Sequence, residues 1–399
     1  MAASKITVRF LFCDQGMGTL IMIYEGSGVS EKLTNLALVD LGSASKEKRF
    51  GRRALVSVIK ALEAMEDPCL DLIVISHGDS DHWNLLEDLH IGIQAYIVAK
   101  QLPSMKLKRM AYGGLAWSQR GLDAMKDFAT AYGVTNPVTK KKITPEHLSL
   151  DDCNYNEPTT ATDFETIAGV KFRLMASGIE SASSGKVAKV GKGGKRRNIR
   201  NATSAVVVVD FGGPTVILPG DATAETVGWI NTEVFDEWQL KNVNPITPCR
   251  ALGAPHHGAL ATIAEDYEKF SRKRKKDPDL EPDLDIAKIF SAYVSAEKVV
   301  ASAGFESHHK HPQRSVMKEL AVNAKDFDKH TWVWYHQDWE DNEGTEGIYT
   351  TVKDKKGNWG EPEVTITASG EVFVTYHFTE ADIPPYERFD RYAATPHEK

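Results

Sequence analysis

The chain has 399 residues, 42% of them hydrophobic, with 48 Lys and Arg against 55 Asp and Glu and a formal net charge of −7. That length allows a large buried core, and the acidic balance excludes a protein that coats nucleic acid with its whole surface, so any polyanion must be met by a local patch. No run approaches the roughly eighteen apolar residues a membrane-spanning helix needs, the start of the chain lacks a secretory cleavage pattern, and the four cysteines, at 13, 69, 153 and 249, form no C-x-x-C pair. A cytosolic protein with reduced thiols and no zinc ribbon is expected.

Thr7 to Phe12, Leu20 to Tyr24 and Asn35 to Val39 are short apolar bursts separated by glycines, which predicts a meander of antiparallel strands. Arg52 to Met65 sets Leu55, Val58, Ile59 and Leu62 on one helical face. The apolar run Leu72 to Ile75 then stops in Ser76-His77-Gly78-Asp79-Ser80-Asp81-His82. Four metal-capable side chains in six residues, on the rigid end of a strand, suit Zn²⁺, Mn²⁺ or Fe, because imidazole and carboxylate are the ligands those ions take. The plain alternative is an Asp-rich turn capping a helix.

Residues 103–170 read as an insertion, with a helix over Trp117 to Tyr132, that is either a lid or a decorated edge. From 178 to 201 the chain is a Gly-rich basic loop in which Lys192, Lys195, Arg196 and Arg197 could neutralise phosphates; a solvated linker is the bland reading. Val206 to Val209 and Thr215 to Leu218 form a hairpin around Phe211-Gly212-Gly213-Pro214, and the second strand runs into Pro219-Gly220-Asp221. Asp221 by itself reads equally well as a turn residue. Ala251 to Ala254 ends in Pro255-His256-His257-Gly258, and Val299 to Ser302 leads to His308-His309-Lys310-His311-Pro312. Each ligand cluster thus follows a short apolar strand, which turns separate weak signals into one joint reading. Gln313 to Asn323 predicts a helix, and the later bursts predict strands that close the second sheet, plus a hairpin.

Taken together, Asp14-Gln15-Gly16-Met17-Gly18, the H-x-D-x-D-H stretch, Asn201-Ala202-Thr203-Ser204, Pro219-Gly220-Asp221, Pro255-His256-His257-Gly258 and Ser302-Ala303-Gly304 through His311-Pro312 resemble, in order, the ComEC-type competence hydrolases of the metallo-β-lactamase superfamily. The resemblance spans roughly residues 5–325. Thr19, Ala259 and Lys310 depart from the usual Asp, Ser and Gly, and the membrane channel of that family is missing.

The resemblance implies an α+β fold, a metallo-β-lactamase-like αββα sandwich over 1–325, with 326–399 as a C-terminal extension packed on it. It implies two divalent ions, Zn²⁺ or Mn²⁺, held by His77, Asp79, Asp81, His82, a bridging Asp221 and one of the His256 and His257 pair, with His257 set as the ligand. Asp81, His256 and His311 would serve in catalysis, and Asn201 with the basic loop would meet substrate. The implied reaction is phosphodiester hydrolysis of nucleic acid or a nucleotide by metal-activated hydroxide. Hydrolysis of a small ester, lactone or amide, or a binding module that kept the fold, are the other readings.

Overall fold

The computed structural model describes residues 3–14, 16–44, 51–99, 101–135, 140–149, 163–179, 200–264, 267–277, 280–303, 312–324, 331–335, 338–342, 347–353 and 359–379. Two mixed sheets lie face to face with helices on their outer sides, the αββα layering expected for a metallo-β-lactamase-like fold. The layering follows from strand alternation, since successive side chains point to opposite faces. In Gly18–Glu25, Leu20 and Met22 enter the core under the first helices, while Ile21 and Ile23 enter the core between the sheets. Val206–Asp210 divides the same way: Val207 and Val209 face the other sheet, Val206 and Val208 the second set of helices. A strand apolar on both sides has no solvent face, so these segments read as continuous hydrophobic runs.

The first sheet carries the expected meander, Lys5–Phe10, Gly18–Glu25 and Lys32–Leu41, antiparallel in register Val8↔Ile21 and Ile21↔Ala37. Cys69–Ile75 joins it parallel to Lys32–Leu41, and Lys106–Tyr112 joins parallel to Cys69–Ile75. Helices Arg52–Glu63, Leu86–Val98 and Gln119–Tyr132 cover its outer face. The stretch 103–170 therefore contributes strand Lys106–Tyr112 to the first sheet and Asp163–Ile167 to the second. The second sheet runs from Asp163–Ile167 and Val170–Ala176 through the Val206–Asp210 and Thr215–Leu218 hairpin to Cys249–Gly253, Val299–Ala301 and Ile348–Thr350. Among the described residues, no helix is long and apolar enough to cross a membrane.

The C-terminal strands differ from expectation. Ile348–Thr350 closes the second sheet, but Trp359–Thr367 pairs antiparallel with Lys5–Phe10 in the first sheet and carries Val372–Thr379 on its far side. Apolar alternation selects a strand and its buried face, not the neighbour it pairs with. The pairing buries Glu361, whose Oε1 accepts from the Phe12 amide at 2.9 Å and whose Oε2 accepts from Ser57 Oγ at 2.6 Å. Burial pushes this carboxyl up to about 7.

The folded chain thus keeps a proton on Glu361 that the unfolded chain releases from about pH 4.5 upward, so this group's contribution to stability falls as pH rises from there to about 7 and is level beyond. At 1.36 kcal/mol per pH unit the loss is on the order of 3 kcal/mol. Glu361→Gln keeps both hydrogen-bond partners within reach and should flatten that slope in urea unfolding at pH 5, 6, 7 and 8. An unchanged slope would rule Glu361 out as its source.

Candidate metal centre

The strands that end in chemistry run parallel. Lys32–Leu41 and Cys69–Ile75 are parallel neighbours in one sheet, and Thr215–Leu218, Cys249–Gly253 and Val299–Ala301 are parallel neighbours in the other. Parallel strands deliver their carboxyl ends to one edge, where the loops meet. Asp40, His77, Asp221, His257 and Ser302 are the residues so delivered.

Cys69–Ile75 is buried along its whole length and hands over to Ser76 and His77, both fully buried. Ser80–His82 then forms a single short 3₁₀ turn, closed by the His82 amide donating to the Asp79 carbonyl at 3.1 Å. Gly220, at φ +55°, makes the turn into Asp221; a Cβ there would lie 2.6 Å from Ser204 Oγ and 2.7 Å from Ser76 Oγ, so no other residue fits without displacing both. His256 and His257 also occupy the left-handed region, at φ 45° and 57°. Such backbone is uncommon for non-glycine residues and concentrates where side chains are held for function.

One side chain organises the rest. Asp221 is almost fully buried, and four imidazoles surround its carboxylate: His82 Nε2 lies 3.1 Å and His257 Nε2 3.6 Å from Oδ1, and His256 Nδ1 lies 3.5 Å and His77 Nε2 3.8 Å from Oδ2. Atoms of Asp81, His82, Asp221 and His257 all lie within 4.8 Å of one another, the one such set among the described residues. His82 Nε2 and Asp221 Oδ1 are buried and face each other at 3.1 Å, poorly aligned for a hydrogen bond, and neither has another hydrogen-bond partner among the described residues. Buried polar atoms are nearly always well satisfied, and donor atoms converging on a common point are what a cation in place of the His82 proton would satisfy. Two carboxylates and two imidazoles match the donor set of Zn²⁺ or Mn²⁺.

Electrostatics agree with that donor set. Burial, helped by the neighbouring His82, pulls His77 down to about 3, and burial pulls His257 down to about 4. Both rings therefore hold a lone pair at neutral pH. Burial opposes charge on His82 as well, but Asp221 and Asp40 outweigh it and raise its pKa well above the usual range. Asp221, whose burial is outweighed by His256 and His82, sits well below the ordinary carboxylate range. Burial and the charge of Asp221 raise Asp81. A cation held here would have to replace the proton of His82, so its binding would strengthen with pH.

Asp40 is the residue sequence reasoning overlooked. Fully buried, at φ 59°, it accepts from the Ser76 amide at 2.6 Å and from Ser76 Oγ at 2.8 Å, and its Oδ2 lies 2.9 Å from His82 Nδ1. It fixes the ring so that Nε2 faces Asp221. The available signal was Leu38-Val39-Asp40-Leu41-Gly42, another acid at the end of an apolar run. His257 is held likewise, Nδ1 donating to the Ser302 carbonyl at 2.8 Å. Asp79 takes another course: its Oδ1 pairs with Arg200 Nη1 at 2.9 Å, and its Oδ2 stays 3.9 Å from His77 Nε2. The Asn201 amide lies 3.1 Å from His256 Nδ1. His311 and the basic side chains Lys192, Lys195, Arg196 and Arg197 lie outside the described residues.

No protein-family model and no curated protein matches the chain. Among solved structures, the chain is similar to the metallo-beta-lactamase fold protein YhfI of Bacillus subtilis, with 12% identity and a TM-score of 0.39 over 93% of this chain and 100% of that one. It is also similar to a long form RNase Z from yeast, with 11% identity and a TM-score of 0.39 over 86% of this chain and 42% of that one.

Partners that orient a ligand histidine are typically worth about 10- to 100-fold in metal affinity. Asp40→Asn should therefore weaken Zn²⁺ or Mn²⁺ binding by about that factor in competition with a chromogenic chelator, with circular dichroism unchanged. Affinity within twofold of wild type would show that His82 needs no such support.

Proposed function

We propose that this protein is a metal-dependent hydrolase of phosphodiester bonds, acting on nucleic acid or a nucleotide. The observation that supports the reading most is the meeting of Asp81, His82, Asp221 and His257 from three separate strand ends, with buried His82 Nε2 and Asp221 Oδ1 poorly aligned on each other at their centre. A purely structural buried pair would be expected to align into a full hydrogen bond, since leaving a buried polar group unsatisfied costs about 1–3 kcal/mol.

When bound, a divalent ion supplies Lewis acidity there and lowers the pKa of water toward neutrality. Asp81, His82, Asp221 and His257 would hold it, and Asp40 and the Ser302 carbonyl keep two of those rings aligned. The second ion expected from the sequence would fall to His77 and Asp79 beside Asp221. His256 is suited to proton transfer. With the Asn201 amide meeting Nδ1, the ring is oriented so that Nε2 is the nitrogen left to hydrogen-bond a leaving oxygen. An anionic phosphodiester suits an edge where Arg200 stands beside the ligands. The basic run 186–200 enters at the same point of the sequence.

The purified protein should degrade DNA or RNA, or turn over bis-nitrophenyl phosphate, only with Mn²⁺ or Zn²⁺, more slowly as salt rises. Asp81→Ala and His82→Ala should each lower the metal-dependent rate by at least about 100-fold without unfolding the chain. Turnover of a lactone or carboxylic ester with all phosphodiesters left intact would refute the phosphodiesterase reading, and undiminished activity in both variants would remove this cluster from the mechanism.

A further inference from the structure

Three features set the Asp79 side of the centre apart from the Asp221 side. Arg200 is anchored at two points, Nε donating to the Ala116 carbonyl at 2.8 Å and Nη1 to Asp79 Oδ1 at 2.9 Å, with both side chains of the pair mostly buried at 27% and 18% exposure. A guanidinium so held is a fixed positive charge, not a surface side chain that happens to pass a carboxylate. Next, the donors on this side do not close into a set. His77 Nε2 comes within 3.9 Å of Asp79 and 3.8 Å of Asp221, yet among the described residues three or more ligand atoms gather within 4.8 Å only around Asp81, His82, Asp221 and His257. The remaining nitrogen, His256 Nδ1, faces Asp221 at 3.5 Å but is also the atom the Asn201 amide meets.

Charge counting points the same way. Asp79, Asp81 and Asp221 carry three negative charges, which one divalent ion and Arg200 together cancel; a second divalent ion would leave the group, Arg200 included, with an excess of two positive charges, and the guanidinium cannot release its proton. Asp40, behind them, is already engaged with Ser76 and His82.

We propose that the centre holds one divalent ion tightly, in the Asp81, His82, Asp221 and His257 set, and that Arg200, locked onto Asp79, stands in for a second cation. The proposal rests on the metallohydrolase reading and replaces the two-ion expectation drawn from the sequence. Arg200 is then a positioning residue that keeps Asp79 out of metal coordination and supplies permanent positive charge at that end of the site.

Metal content decides the matter without any substrate. Metal-free full-length protein is titrated with Mn²⁺ and with Zn²⁺ in competition with a chelator, and bound metal is counted by mass spectrometry after gel filtration, with circular dichroism as the check on folding. Wild type should retain one equivalent, and any second ion should bind at least 100-fold more weakly. Arg200→Ala frees the Asp79 carboxylate and should tighten the second ion by tenfold or more. Arg200→Lys, which keeps the charge, should stay at one equivalent. Two equivalents of matching affinity in wild type, or a second ion no tighter in Arg200→Ala, overturn the role given to Arg200 and leave the hydrolase reading standing. A wild type that retains no metal overturns both.

Discussion

A carboxylate buried among imidazoles is the constraint on which this molecule turns. Removing an ionised Asp from water is strongly unfavourable unless charge and hydrogen bonds replace the lost hydration. Asp221 is 2% exposed, and of the four rings around it His82, at 3.1 Å, is the one that brings positive charge, while His77, His256 and His257 stand at 3.5–3.8 Å. Those separations are longer than a well-formed charged hydrogen bond, commonly about 2.7–2.9 Å, so the rings surround the carboxylate without saturating it. An arrangement that is electrostatically favourable but geometrically loose fits a site shaped around an additional cation better than a closed salt-bridge network.

The sandwich provides this arrangement through its direction of travel. Each sheet contains a parallel block, and each block delivers loops to one edge, so residues 40, 77, 221, 257 and 302 meet although they are scattered across the chain. Parallel strands need both faces covered, which explains the two layers of helices and the apolar character of the strands that lead into the centre. Cys69–Ile75 has no exposed residue, and Thr215–Leu218 has none either. Rigid, fully packed strands make the loop residues that follow them precise in position.

Legibility in the sequence tracked distance along the chain. His77, Asp79, Asp81 and His82 were legible because four donors fall within one turn after an apolar run, and Asp221 and His257 because each follows a strand of the same kind. Asp40 bears the same mark but stands alone, and its role depends on the register that sets Val39 beside Val74 across a parallel pair. Arg200 is one cation among many in a basic run, and nothing local to it points to Asp79, 121 positions away. Strand Lys106–Tyr112 escaped notice because Lys106, Lys108 and Arg109 mask a short apolar set at Leu107, Met110 and Ala111. The sheet joined by Trp359–Thr367 was illegible for a different reason: its alternation suits either sheet, and the choice is made by a partner, Lys5–Phe10, at the other end of the chain.

That distant pairing bears on the centre itself. The segment following Lys5–Phe10 forms a wall of the site: the Met17 amide donates to the Asp81 carbonyl at 3.1 Å, and the Gly42 amide to the Met17 carbonyl at 3.0 Å. Ser302, whose carbonyl holds His257, extends its hydroxyl to the carbonyls of Leu11 at 3.0 Å and Gly16 at 3.2 Å. The same wall is held from behind by Glu361, through the Phe12 amide and Ser57. The backbone beside Asp81 and the ring of His257 are therefore tied through one loop to a strand near the C-terminal end of the described chain. Because such hydrogen bonds are worth about 1 kcal/mol each, the loop is held by several modest contacts acting together. Local loosening at Glu361 would reach two of the four ligands before it reached the core of either sheet.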